Sequence, residues 1–366
     1  MAEPPSPRTY FNNDGPCGSK SSKSVPQTNF DPHYNFAREI KWKIIHVPSL
    51  VAIMAGWPRP DNLQHLGRLR SAINVLVELY VRDPDKCEKT KNYDLASYDT
   101  MIFPQTDDYD ILYTASLLTL WLCLWEDYID GNEDLVNDYE GAGALRARGL
   151  VHVRYCLGLG EVEQVVFPNP MGPMVVFEEF GKGAVARLSK READQSRRLG
   201  GFIPIPEDYM EGRIVLTAVF PVFHTLNLFL DAPLPSWIME SPLMADVWKD
   251  VSFLVAAATD IMSLKKEPHR DCTMNIVPLL QRSGIGWDDI IPRLVDDMTI
   301  CRKRIDDTAD RFLQLAADDE LTRRRLQKYI EGIKSICLGS IANLYHTKRY
   351  GLDLSGREDE TCNIPL

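Results

Sequence analysis

The chain has 366 residues and carries eight cysteines and seven histidines. Yet it contains no CxxC pair, no HExxH and no cluster of cysteine with histidine. Cys17, Cys87, Cys123, Cys156, Cys272, Cys301, Cys337 and Cys362 are scattered, which argues against a zinc site or a disulfide framework and suits a reducing compartment. A Gly-rich phosphate loop is also missing: Gly141-Ala142-Gly143-Ala144-Leu145 has neither a preceding strand nor the Lys-Ser/Thr that such a loop needs. No serine nucleophile elbow occurs. The first twenty residues hold no apolar core of a secretory signal. The longest apolar stretch, Ile111 to Trp125, is broken by Thr and Ser and is too short to span a bilayer. An excess of basic residues is lacking too. Against 41 Lys+Arg stand 52 Asp+Glu, a net charge of −11, so the overall field repels phosphate backbones and nucleic acid is not the expected partner. A soluble, cytoplasmic protein that binds neither nucleic acid nor membrane is expected.

What is present is a 45% hydrophobic, 25% charged chain, long enough for a sizeable core. Residues 1–30 are rich in Pro, Ser, Asn and Gly and read as a disordered tail. Residues 31–354 show no linker and no repeat, and residues 355–366 read as a flexible C-terminal tail. Within the domain the apolar spacing is helical. Leu66, Leu69, Ile73, Val77 and Tyr80 share one face of a helix over 66–82. A longer helix is predicted over 107–125, with Thr106 as its N-cap and acids in its first turn. Further helices are predicted at 174–199, 206–230, 243–266, 288–315 and 319–347. Strand alternation is rare, with 162–167 the best candidate. The expected fold class is all-α: a single-domain α-helical bundle around an apolar pocket.

Two segments carry candidate chemistry. In Trp125-Glu126-Asp127-Tyr128-Ile129-Asp130, the three acids fall on one face at about 100° per residue. Carboxylates that close repel unless a cation offsets them, and Mg²⁺ bridges such oxygens to substrate phosphates. The bland alternative is a solvated acidic helix end. In the second segment, Thr259, Ser263 and Glu267 stand at i, i+4 and i+8 and line one helical face over about 12 Å. Lys266 sits on a neighbouring face, where it could meet an anion. Taken alone, this pattern also fits an ordinary amphipathic helix.

Two other acidic clusters read differently. Asp306-Asp307-Thr308-Ala309-Asp310 is a literal DDxxD, but it follows a basic run and no apolar helix precedes it. It is expected to be a solvated, salt-bridged helix. Asp107-Asp108-Tyr109-Asp110 starts the helix that Glu126–Asp130 ends, about 27 Å away along a straight helix. Dipole stabilisation of the helix start accounts for it.

The acidic segment, followed about 130 residues later by D-x-x-S-x-x-K-E, resembles the two metal-binding motifs of class I terpene cyclases. Arg213, in the run Pro206 to Arg213 and 46 positions before Thr259, matches that family's diphosphate-sensing arginine. Arg349-Tyr350 matches its C-terminal Arg-Tyr pair. The surrounding sequence is most similar to the fungal sesquiterpene synthase type. Two ligand positions depart from the pattern: Thr259 stands where Asn or Asp is usual, and Glu126 where Asp is usual. His346 occupies about the place of a usual Trp.

The resemblance implies a Mg²⁺-dependent lyase with three Mg²⁺ ions. It would ionise farnesyl diphosphate and cyclise the allylic cation to a sesquiterpene hydrocarbon or alcohol. Glu126, Asp127, Asp130, Thr259, Ser263 and Glu267 would be the metal ligands. Arg213, Lys266, Arg349 and Tyr350 would bind diphosphate. Leu118, Thr119, Leu122, Cys123, Leu216, Thr217, Val255 and Ala256 are candidate pocket walls by periodicity. Alternatives are a prenyl-chain transferase, a cyclase of geranyl or geranylgeranyl diphosphate, and a helical protein whose metal site has decayed. A monomer or homodimer is expected.

Overall fold

The structure is a computed structural model that describes residues 43–58, 63–130, 140–141, 143–144, 147, 203–217, 219–265, 274–347, 350, 352 and 361–365, with the side chains of 125–130 and 220 outside that set. The described helices are α1 (Leu66–Tyr80), α2 (Pro84–Lys91), α3 (Leu95–Ile102), α4 (Tyr109–Asp130), α5 (Pro206–Leu216), α6 (Val219–Thr225), α7 (Ser236–Met239), α8 (Pro242–Ser263), α9 (Ile276–Arg282), α10 (Trp287–Leu315) and α11 (Glu320–His346). Short 3-10 turns stand at Val51–Met54 and Leu226–Phe229, and strands β1 (Ile44–Val47) and β2 (Cys362–Pro365) form an antiparallel pair.

The helices start where polar side chains can take up their unpaired first N–H groups. Asp83 accepts from Lys86 N ahead of Pro84, Ser241 accepts from Met244 N ahead of Pro242, and Asp319 accepts from Thr322 N. Asp94 caps α3 from the left-handed region at φ 47°. Aspartate tolerates that conformation better than most residues, and the Arg70 guanidinium grips its carboxylate at 2.9 and 2.8 Å. Helix α4 departs from expectation at its start. Asp108, not Thr106, is the cap: its Oδ1 accepts from Asp110 N at 2.9 Å and Ile111 N at 3.3 Å, while Thr106 Oγ1 accepts from Asp108 N. A carboxylate meets the helix-start N–H groups more strongly than a hydroxyl does.

Packing runs from helix to helix as α10–α8–α11–α3, with α5 on α8, and with α1 and α4 on α3. Helix α8 is central, and Val251, Leu254, Ala257, Ala258 and Ile261 are all fully buried. Each large side chain taken from water contributes about 1.5–3 kcal/mol, so this helix anchors the core. The α11–α3 crossing is close because Gly339 lacks a side chain: a Cβ there would lie 2.6 Å from Met101 O. Leu69, Ile73 and Val77 of the predicted α1 face are buried.

Two further expectations change. The predicted helix over 206–230 is broken after Leu216 and ends in a 3-10 turn. Pro206–Phe229 is long and apolar enough to cross a membrane by composition alone, but Tyr209, Met210, Ile214, Val219, Val222, Phe223 and Leu226 pack into the core. Within the expected flexible tail, residues 362–365 pair with β1, burying Cys362 and Ile364. Periodicity missed this strand because its burial alternates over only four residues. The predicted helix at 174–199 and the strand candidate at 162–167 lie outside the described residues.

Candidate active site

Helix α8 carries Thr259 and Ser263 in its last two turns and ends at Ser263. Thr259 is half-buried and Ser263 buried. Lys266 and Glu267, four residues or fewer beyond, lie outside the described residues, as does Arg349. Tyr350 is half-buried and packs against the core. Glu126, Asp127 and Asp130 occupy the last turns of α4, and their side chains are outside the described set.

Arg213 lies in the last turn of α5 and is seated directly on α8. Its Nε donates to Asp260 Oδ1 at 2.8 Å, an ion pair whose carboxylate side is almost completely buried. Asp260, adjacent to Thr259, is the organising residue; the sequence showed it as the D of D-x-x-S-x-x-K-E but not in this role. Its other oxygen accepts from the Tyr209 hydroxyl at 2.7 Å and from the Ile276 backbone N–H at 3.1 Å. Tyr209 precedes Arg213 by four residues, so both project from one face of α5. A buried carboxylate is tolerated only when paired and hydrogen-bonded, and here a cation, a phenol and a peptide N–H meet it.

The same cluster reaches Ser263. Asn275 caps α9 by accepting from Val277 N at 2.9 Å, and its amide nitrogen donates to Asp260 O at 2.7 Å and to Ser263 Oγ at 3.4 Å. Ser263 Oγ donates to Asp260 O at 3.2 Å. The only signals in the sequence for this cluster were Tyr209 one turn before Arg213, Asp260 beside Thr259, and Asn275 at the head of an apolar run.

Among the described residues, no three His, Cys, Asp or Glu side chains gather as a metal site. The side chains of Glu126, Asp127, Asp130 and Glu267 lie outside that set. The described donors, Thr259 and Ser263, are oxygen atoms, which suits a hard divalent ion such as Mg²⁺.

The candidate wall residues divide by environment. Leu118, Thr119 and Leu122 on α4, and Val255 and Ala256 on α8, are buried. Cys123, Leu216 and Thr217 are half-buried. The hydroxyls of Thr119 and Thr217 turn back to their own helices, onto Ala115 O at 3.2 Å and Ile214 O at 2.8 Å. Tyr345, at the C-terminal end of α11, has its hydroxyl fixed by Leu50 N at 3.0 Å, and His346 beside it is exposed. The DDxxD at Asp306 is a salt-bridged surface site, as expected. Asp306 takes Trp57 Nε1 at 2.9 Å, Arg302 at 3.2 Å and Lys334 at 2.6 Å.

A further buried acid, Asp99 on α3, was not anticipated. It is fully buried against Ser116 and Thr119 of α4, and desolvation pushes its carboxyl up to about 8.

Comparison with known proteins finds relatives of one family. Residues 186–304 match the family described as terpene synthase family 2, C-terminal metal binding. The chain is 27% identical to sesquiterpene cyclase hepA of Aspergillus oryzae over 87% of its own length and 92% of the relative's. It is 22% identical to a protein of Gibberella fujikuroi described as an inactive (1R,4R,5S)-(-)-guaia-6,10(14)-diene synthase, over 88% and 84%. Among solved structures, α-eudesmol synthase superposes with a TM-score of 0.67 at 16% identity, covering 80% of this chain and 98% of that one.

Proposed function

Starting from a chain that belongs to terpene synthase family 2, a class I lyase acting on a prenyl diphosphate, we propose that its substrate is farnesyl diphosphate and its product a sesquiterpene hydrocarbon or alcohol. The observation that carries this reading is the seating of Arg213 on Asp260, beside Thr259 and Ser263. A cation donor for diphosphate and two oxygen ligands for a divalent ion thereby share one end of the bundle. The 27% identity to a sesquiterpene cyclase supports the C15 substrate.

In this reading Glu126, Asp127 and Asp130 hold Mg²⁺ from α4, and Thr259, Ser263 and Glu267 hold it from α8 and the segment after it. Three ions are expected. When bound, Mg²⁺ supplies positive charge against the diphosphate oxygens, which also lets an acidic chain bind an anion. Arg213, Lys266, Arg349 and Tyr350 add fixed charge and hydrogen bonds. Leaving-group charge grows as the C–O bond breaks, so donors already aimed at that charge lower the barrier more than they tighten ground-state binding. Leu118, Thr119, Leu122, Cys123, Leu216, Thr217, Val255 and Ala256 would wall the chamber that keeps the allylic cation from water. We place the enzyme in the cytoplasm as a monomer or homodimer.

The test is incubation of the purified chain with farnesyl diphosphate, with and without Mg²⁺, followed by gas chromatography–mass spectrometry. A Mg²⁺-dependent C15 product is expected. Product from geranyl or geranylgeranyl diphosphate alone would overturn the chain-length assignment. Silence with all three would point to lost activity, as named for the Gibberella relative.

A further inference from the structure

The Asp260 cluster does more than seat one arginine. One carboxylate joins three separate pieces of chain: Arg213 and Tyr209 on α5, the Ile276 N–H at the head of α9, and α8 itself. Tyr209 O–H also lies 3.1 Å from Met274 O, and Asn275 returns to Asp260 O and Ser263 Oγ. Asn275 and Ile276 therefore meet the same residue that orients Arg213.

From this geometry we infer that Asp260, with Tyr209 and Asn275, is a positioning unit that couples diphosphate recognition by Arg213 to the metal-binding end of α8. The inference rests on the proposed diphosphate chemistry and adds residues to it that make no contact with substrate. The contact through Nε fixes the plane of the guanidinium relative to Ser263 and Thr259. A lysine could not reproduce this, because its ammonium is a point charge without a planar fork. A carboxylate this buried also resists losing a partner, since the remaining charge would be left uncompensated. Arg213 is thus held in place before an anion arrives, so less ordering is required on binding. Any displacement of Arg213 is transmitted to the hydroxyl of Ser263 through Asp260 and Asn275.

The test is a double-mutant cycle on the full chain with Asp260→Asn and Arg213→Lys, read by isothermal titration of inorganic diphosphate in the presence of Mg²⁺. Each single change is expected to weaken binding by roughly tenfold, and the double variant by no more than the worse single, a non-additivity typical of groups in one network. Additive losses, or wild-type affinity in Asp260→Asn, would overturn the coupling while leaving the diphosphate reading intact. A wild-type chain that does not bind diphosphate with Mg²⁺ would overturn both. If Asp260→Asn does not fold, Tyr209→Phe replaces it in the cycle, since it removes one hydrogen bond from the carboxylate and leaves the ion pair. A loss of about threefold that disappears in the Arg213→Lys background supports the coupling. A loss of the same size in both backgrounds refutes it. A fall in melting temperature without a change in affinity would mark the cluster as structural only.

Discussion

Asp99 gives the most direct test of the energetics at the α3–α4 seam. Both of its carboxylate oxygens are buried without a hydrogen-bond partner, and Ser116 Oγ opposite is in the same state. The Ser116 and Thr119 hydroxyls favour the ionised form, but desolvation outweighs them and holds the carboxyl at about 8. An aspartate in the unfolded chain titrates near ~3.9. Between these values the native state binds one proton more than the unfolded state, so stability falls as pH rises. The stabilising difference is fully present below pH ~4 and is lost as pH climbs through about 8. The slope is about 1.4 kcal/mol per pH unit, or roughly 4 kcal/mol accumulated by pH 7. For a chain of 366 residues, that slope corresponds to about 2 °C of melting temperature per pH unit.

Asp99→Asn keeps the shape and removes the proton. Any cost of burying the amide does not vary with pH, and every other titrating group is common to both proteins. The measurement is therefore the difference in melting temperature between variant and wild type at pH 5, 6, 7 and 8. The variant should gain about 2 °C relative to wild type with each unit up to pH 7, and less from pH 7 to 8 as Asp99 itself ionises. A difference that stays constant across the series would refute a neutral, desolvated Asp99. The seam matters for function because α4 ends in the acidic motif, and a charged Asp99 would strain the contact that positions it.

The remaining predictions concern the motifs and one helix crossing. Asp127→Asn should lower kcat by at least about 100-fold if the α4 acids act on the developing diphosphate charge; near-normal turnover would remove Asp127 from the metal site. Thr259→Asn should preserve turnover and lower the Mg²⁺ concentration required for half-maximal rate, because an amide oxygen is a better ligand than a neutral hydroxyl; an inactive variant would show that this ligand shell is arranged differently. Gly339→Ala should destabilise the fold by about 1–3 kcal/mol in a urea titration, since its Cβ would meet Met101 O at 2.6 Å. An unchanged midpoint would mean that α11 and α3 can separate without cost.

The long helices were legible because burial repeats along them with a helical period. Leu69, Ile73 and Val77 on α1 are the plainest case, and α8, α10 and α11 fall within a few residues of their predicted bounds. Short elements gave too few turns for a period to register. Helices α2 and α3 have eight residues each, α9 has seven and β2 four, and each depends on tertiary contacts that no local pattern announces. The break after Leu216 was hidden for a related reason: the run stays apolar on both sides, and composition does not record where a helix stops.

The candidate site divides along the same physical line. Residues that would contact metal or diphosphate sit at fixed spacings because a helix presents them, so Arg213, Thr259 and Ser263 could be named from sequence. The role of Asp260 could not, although it is the D of D-x-x-S-x-x-K-E, and neither could the roles of Tyr209 and Asn275. Their roles are to satisfy one another, and the partners lie 51 and 15 residues apart in the chain. Spacing within a motif encodes what faces the ligand. What holds those groups in place is encoded in burial, where an acid is allowed only if distant donors converge on it. Asp260 meets that condition with three donors and Asp99 with none in hydrogen-bond geometry. The first therefore serves as the ion-pair partner of Arg213, while desolvation raises the carboxyl of the second to about 8. Opposite responses to Asp→Asn follow. At position 260 the change removes the buried counter-charge of a half-buried arginine, and at position 99 it removes a pH liability.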